Sequence, residues 1–374
     1  MDGSKLNNRA KDGGLNVFVH LAFDKDPEVW RRAWADGNLV GRNDETPYGY
    51  KRASEMGCNV SFSQSRGEGF IKKVLRLGVR FILGFDLIHA INNSQEIRDA
   101  DVVWTHTESQ FLAVSALLIR APYRPKIIGQ VVWLIDQWPN ISVVHKYLYR
   151  ALIAKVDVIT THSQLNLDVA KSIFPKQRVE LVRFGIPAEN PTPPTMRNAE
   201  PTSVISVGND RHRDWPTLIE AVGGNKGILL EIFSGTASRR RSRKWDNITI
   251  KPAQSNDELV AAYGRAMLAV VPLRSNLHAS GITAIQEAIL AGLPVIATDT
   301  GGLRSYFTDD EITYVPEGNV VALSAAIISV SENYQHHFEK VLRAQSRFNL
   351  RDLGAESYIR SHVVLSNDLM CSKK

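Results

Sequence analysis

Short apolar runs of strand length alternate with amphipathic stretches along almost the whole chain. Leu15–Ala22, Cys58–Ser63, Asp101–Thr105, Ile127–Leu134, Val156–Thr160 and Val179–Arg183 make a first set. Runs that are apolar on both faces suit parallel strands covered by helices. Leu87–Asp99, Ser109–Leu118 and Val143–Ala154 read as helices between them. At 187–201 the texture changes. Pro187, Pro191, Pro193, Pro194 and Pro201 with no apolar period mark a linker. A second set follows: strand Ser203–Val207, helix Trp215–Val222, strands Gly227–Phe233 and Ile248–Ile250, helix Asp257–Ala266 and strand Leu268–Pro272. A helix opened by Ser280-Gly281 and closed by Gly292 then leads into strand Pro294–Thr298. The pattern predicts an α/β protein with two doubly wound Rossmann-like domains facing each other across a cleft. The expected division is 1–186, a linker over 187–201, 202–350, and a helical segment over 351–374 that crosses back to the first domain.

Bulk properties narrow this reading without changing it. A chain of 374 residues exceeds the size at which one core stops growing, so two domains are the default. Two cysteines, Cys58 and Cys371, make neither a disulfide framework nor a metal cluster, and point to a reducing compartment. A net charge of +6 with pI about 9.2 fits an anionic ligand or an anionic membrane surface. The polar N-terminus, expected to fray, carries no visible signal peptide, and no apolar run is long enough to span a bilayer. The expected location is the cytoplasm, with peripheral docking on the inner face of the membrane as one option.

The candidate chemistry starts at Ser280-Gly281. The first amides of a helix lack intrahelical acceptors and the macrodipole is positive there, so the turn is a ready anion site. Glu287 lies six residues beyond Gly281, about 9 Å along the helix axis. Diphosphate at the helix tip and ribose hydroxyls on Glu287 make a coherent nucleotide grip. A second loop, Gly208 to Trp215, leaves the first strand of the second set. Arg211 and Arg213 lie in it, Asp214 is placed to cap the next helix, and Pro216 sits in its first turn. Loops at the carboxyl ends of parallel strands are where ligands bind.

Residues 280–302, with Glu287-Ala288, Gly292-Leu293-Pro294-Val295-Ile296 and Gly301-Gly302, resemble the donor-binding segment of retaining glycosyltransferases of the GT-B fold, glycosyltransferase family four. Residues 203–222 are similar to the same family, and the likeness is loose over 1–186. The resemblance implies transfer of a sugar from a nucleoside-diphosphate-sugar to a hydroxyl of a saccharide or lipid-linked acceptor, in polysaccharide or glycoconjugate synthesis. It implies donor contacts at Gly208, Arg211, Arg213, His278, Ser280, Gly281, Ile282, Thr283 and Glu287, with Arg213 and Arg211 neutralising the diphosphate. It also implies no cofactor and no metal. Asp24-Lys25-Asp26 has an Asp-x-Asp spacing, but it lies in the domain expected to hold the acceptor. One departure stands out: where the family has a first glutamate, eight residues before Glu287, this chain has Ala279.

His106 ends the strand Asp101–Thr105, and the resemblance puts a histidine there beside the transferred sugar. His106, Arg213 and Glu287 are thus the expected catalytic set. Asp24, Trp30, Tyr48 and Asp136 are the expected acceptor contacts, on the unusual insertion after the first strand and at another strand end. Phe70–Leu83 mixes apolar and basic residues, and Lys72, Arg76 and Arg80, spaced i, i+4, i+8, share a face with Lys73. Such a helix suits an anionic membrane surface, or is a domain helix with a solvated basic face. Arg239–Lys244 is a second basic run, but no nucleic-acid motif accompanies it, and no nucleic-acid partner is expected. Two other functions fit the same plan: a nucleotide-sugar epimerase, and a non-catalytic nucleotide-sugar-binding partner of another transferase, which Ala279 motivates.

Overall fold

A computed structural model describes residues 14–198, 200–240 and 242–371. Among them, the first set of apolar runs forms β1 (Leu15–His20), β2 (Cys58–Phe62), β3 (Val102–Thr105), β4 (Lys126–Gln130), β5 (Val158–Thr161) and β6 (Val179–Leu181). The second forms β7 (Thr202–Val207), β8 (Ile228–Phe233), β9 (Ile248–Lys251), β10 (Leu268–Val271), β11 (Val295–Thr298) and β12 (Thr313–Val315). Each set makes one six-stranded sheet, in the orders β2-β1-β3-β4-β5-β6 and β12-β11-β10-β7-β8-β9. Neighbouring strands are parallel throughout. These are two Rossmann-like domains, the GT-B plan. In each sheet the chain reverses its winding direction at one point, between β1 and β3 and between β7 and β10. Ligands of such sheets bind at the carboxyl ends of strands flanking that point.

Helices cover both faces of each sheet, so four apolar clusters form instead of two. Phe18, Val103, Ile127 and Ile159 pack one face of the first sheet, and Val17, Val19, Trp104 and Val158 the other. The helix Ala355–Cys371 closes that second face with Tyr358, Ile359 and Val363. It is tied there by the Trp104 indole N–H, which donates to Ser366 Oγ at 2.8 Å.

The differences from the sequence reading are local. The helix expected over 87–99 is two, Leu87–Asn92 and Ser94–Asp99. Asn93 breaks it by turning its side chain onto Gln64 and onto the His89 carbonyl. The run 127–134 stops being a strand at Gln130 and turns into the short helix Leu134–Gln137. Three residues at a sheet edge, β12, carry too little pattern to be seen in advance.

Helix Phe70–Leu83 corrects an expectation more deeply. Arg76 is not on a basic face. It is buried, its guanidinium forked onto Glu68 (2.7 and 3.0 Å) and bonded to Asp86 (2.7 Å), and it lies over the Phe23 ring. The outward face is apolar instead: Phe70, Ile71, Val74, Leu75, Phe81 and Ile82 are all exposed, Phe81 to 90%. Lys72, Lys73 and Arg80 flank it in solvent. In the other basic run, Arg239, Arg240, Arg243 and Lys244 are exposed and Arg241 lies outside the described residues. The N-terminal segment expected to fray, 1–13, lies outside them too.

Candidate active site

A cavity of about 610 Å³ lies between the two sheets at their carboxyl ends, within the usual size range for small-ligand sites. Its second-domain wall is made by the loop after β7 and the turn before helix Ile282–Leu290. Gly208 leaves β7 with a φ of +150°, and any Cβ there would overlap the Arg213 guanidinium. Gly281, at φ +82°, faces the same guanidinium from the other side, and a Cβ on it would meet Val271 and Arg213. Both glycines therefore make room for Arg213. Asp214 then caps helix Trp215–Val222 through Thr217, which holds the loop's far end.

Arg213 is 6% exposed, and neither its Nε nor its Nη1 has a hydrogen-bond partner. Burial lowers its pKa to about 10, against the pull of Asp210, Tyr263 and Glu287, so it stays charged at neutral pH. An unpartnered buried cation is costly to keep. Here it lies against Gly281, which opens a fully formed helix, and beside Ser280, whose Oγ is also buried without a partner. A buried guanidinium beside a helix N-terminus has the charge and the donors that suit an anion.

Glu287 is buried one to two turns further on. Burial raises its carboxyl pKa, while the Arg42 N–H and the Tyr263 hydroxyl act to lower it. Those two donors sit at 3.0 Å from Oε1 and 3.1 Å from Oε2. Arg42 belongs to the first domain. The insertion after β1, expected to face an acceptor, instead crosses to the second domain: Gly41 N–H donates to Asn256 Oδ1 at 3.0 Å, and Gly37 O accepts from Asn256 N at 3.0 Å. No sequence signal marked Tyr263, Asn256 or Arg42 as partners.

The opposite wall carries His106, at the end of β3. Its ring stacks on Tyr48 with centroids 3.6 Å apart. A chain of hydrogen bonds sets its tautomer. Tyr358 donates to Gln130 Oε1 at 2.5 Å, the Tyr50 and Tyr358 hydroxyls are hydrogen-bonded at 2.6 Å, and Tyr50 meets His106 Nδ1 at 3.1 Å. Gln130 in turn donates from Nε2 to the His106 carbonyl at 2.7 Å, which fixes the amide's orientation. With the Tyr358 proton on Gln130, the Tyr50 proton must go to Tyr358, so His106 Nδ1 is the donor to Tyr50. Nε2 then keeps its lone pair. Burial, with His162 and His362 nearby, pushes the ring's pKa well down, so it is neutral at pH 7. Tyr358→Phe should strand Tyr50 and Gln130 in the core. The expected loss is about 1–3 kcal/mol of stability, read from the denaturant midpoint at constant slope.

The domains are joined behind this wall. Ser163 Oγ donates to the Leu277 carbonyl at 2.6 Å. Asp136 Oδ1 accepts the Leu277 N–H at 2.7 Å and Oδ2 pairs with His278 Nδ1 at 3.0 Å. His278 Nε2 is 3.7 Å from Asp210 Oδ2. Burial opposes its charge, but the two carboxylates win and push its pKa up to about 9. Gly302 is needed here because a side chain would overlap Ser163.

Residues 239–347, most of the second domain, match the family described as Glycosyl transferases group 1. The likeness to this family is confined to that segment. The two-domain architecture recurs across solved structures. Sucrose-phosphate synthase from Thermosynechococcus elongatus superposes with a TM-score of 0.72 at 15% identity, covering 96% of this chain and 100% of that one. HepE from Anabaena in complex with UDP-glucose gives 0.65 at 11% identity, over 96% and 100%. A glycosyltransferase from Rickettsia africae gives 0.62 at 13%, over 97% and 100%. No curated protein sequence matches the chain.

The fold brings most of the expected site residues to one cavity. Gly208, Arg213, His278, Ser280, Gly281, Ile282, Thr283 and Glu287 line it from one side, and His106 and Tyr48 from the other. Four expected site residues lie outside it. Arg211 is exposed and outside the cavity, because the loop turns it away where Arg213 turns in. Asp24 is exposed on the far side of its loop, its N–H bonded to Ser65. Trp30 is buried behind Tyr48, with its indole N–H on the Asp44 carbonyl at 2.9 Å. Asp136 is consumed by the interdomain contact with Leu277 and His278. Asn209 binds Gly235 and Ser234, holding the next loop in place.

Proposed function

We propose that this glycosyltransferase carries a sugar from a nucleoside diphosphate to a hydroxyl of a saccharide or lipid-linked acceptor through the cavity between its domains. The observation that carries the reading is the buried, unpartnered guanidinium of Arg213 against the N-terminal end of helix Ile282–Leu290. Negative charge grows on the diphosphate as its bond to the sugar breaks. Arg213 and the helix amides are fixed where that charge develops and need no reorganisation to meet it. Glu287 accepts from the ribose hydroxyls once Arg42 yields its place. His106 Nε2 accepts from a hydroxyl of the sugar.

The acidic residues lining the cavity are Asp210 and Glu287. Glu287 is held by Tyr263 and taken up by the ribose, and Asp210 is held by His212. Neither is free to attack the sugar, and Ala279 offers no carboxylate. The balance is then direct: the sugar–phosphate C–O bond breaks, the acceptor oxygen bonds to the same carbon, and the acceptor proton leaves with the diphosphate. A panel of nucleoside diphosphate sugars in thermal shift tests this, starting with UDP-glucose because HepE binds it. A binder should raise Tm, and with an acceptor it should give a product that keeps the donor's anomeric configuration. A panel with no binder sinks the reading.

A second surface bears on the acceptor. The apolar face of helix Phe70–Leu83 continues into Val143, Val144 and Tyr147 of helix Val143–Ile153, all exposed. The two helices are tied by His145 Nε2 on the Ile82 carbonyl at 2.9 Å. Lys72, Lys73, Arg80 and Arg150 rim the patch, which gives it the charge and apolarity of a surface for anionic lipid. Phe81→Ser with Ile71→Ser should weaken binding to acidic vesicles by about 2–4 kcal/mol, from the apolar area lost. Wild-type protein that ignores acidic vesicles at low salt overturns this part. No helix among the described residues is long and apolar enough to cross a membrane.

A further inference from the structure

We propose that Asp210, His212 and His278 form a binding site for one divalent transition-metal ion of the zinc class. Among the described residues these three side chains each present one ligand atom within 4.8 Å of the others. They come from two elements, the loop after β7 and the turn before helix Ile282–Leu290, so the sheet's winding reversal brings them together. Asp210 Oδ1 lies 3.1 Å from His212 Nδ1, and Asp210 Oδ2 lies 3.7 Å from His278 Nε2. Donors around a tetrahedral ion at about 2.0–2.1 Å sit about 3.3–3.4 Å from one another. Small rotations of three side chains would close the set.

An independent observation points to an ion. His278 has a side chain only 5% exposed, yet its buried Nε2 makes no hydrogen bond, the Asp210 carboxylate standing off at 3.7 Å. Its other nitrogen is held by Asp136 Oδ2 at 3.0 Å. A carboxylate on the far nitrogen is the arrangement that fixes a histidine's tautomer for metal binding and raises its basicity. Two imidazoles and one carboxylate favour zinc-class ions over magnesium or calcium, which take oxygen ligands. Asp210 is a quarter exposed, so an ion can enter, and its remaining positions open toward the cavity.

The rival occupant of this geometry is a proton on His278 Nε2, bridging the two aspartates. Titrating chelator-stripped full-length protein with Zn²⁺ alone separates the two, and the result does not depend on sugar transfer. The site predicts one saturable equivalent by calorimetry and a raised Tm. Asp210→Asn and His278→Gln should each weaken Zn²⁺ binding at least tenfold, and Asp136→Asn by about 10–100-fold. His336→Gln, on the surface, should leave it unchanged. Should the variants misfold, X-ray absorption of zinc on the wild-type protein decides, with two imidazole nitrogens and oxygen expected at about 2.0–2.1 Å. No saturable binding, binding that survives both Asp210→Asn and His278→Gln, or a zinc shell without histidine overturns the site and leaves the proton as occupant.

Discussion

Arg213→Met should lower turnover at saturating donor by about a hundredfold or more, the scale for removing one preorganised transition-state donor. The same change should leave the Tm of the ligand-free protein unchanged or raise it. Both halves follow from one observation: the guanidinium is buried with Nε and Nη1 unpaired. Such a group costs the fold free energy, and methionine fills similar space without that cost. A residue kept for structure would behave the other way, losing Tm while turnover held. Arg213→Lys should recover part of the rate, since a point charge reaches the anion but cannot fork onto two oxygens.

Glu287→Ala should weaken binding of donor and of free nucleoside diphosphate alike, by about 1.5–3 kcal/mol for lost charged hydrogen bonds. The effect should appear in the binding constant of the nucleotide by calorimetry. Glu287→Gln separates two roles, because it keeps an acceptor for the Arg42 N–H but removes the charge. Should Glu287 serve only to hold Arg42 and Tyr263, both variants would lose Tm and keep their nucleotide affinity. A folded Glu287→Ala protein with unchanged nucleotide affinity rules out the ribose assignment.

Much of this site was legible in the sequence because its logic is local. Gly281 to Glu287 is a helix length, and Gly208 to Arg213 is a loop length. Glycine marks both places where Arg213 needs room. The errors have a common cause, which is that partners far along the chain decide a side chain's fate. Asp136 and His278 are 142 residues apart, so the strand end that seemed to offer Asp136 to an acceptor offers it to the other domain. Arg76 fits a basic stripe by spacing, but Glu68 and Asp86 bend round to bury it. Its apolar neighbours are left facing out, the reverse of the usual amphipathic rule. Trp30 and Tyr48 share an insertion with no regular period, and only packing shows that one backs the other. The group formed by Asp210, His212 and His278 had no motif either, because its members meet only when β7 and β10 lie side by side.

A crystal structure of the protein with the nucleoside diphosphate that most raises its Tm tests the central claim most directly. The diphosphate should lie within hydrogen-bond distance of Arg213 and of the turn at Ser280-Gly281, with the ribose hydroxyls on Glu287. A diphosphate bound elsewhere, on exposed Arg239, Arg240 and Arg243 or in the first domain, with Arg213 Nε and Nη1 still unpartnered, would contradict it.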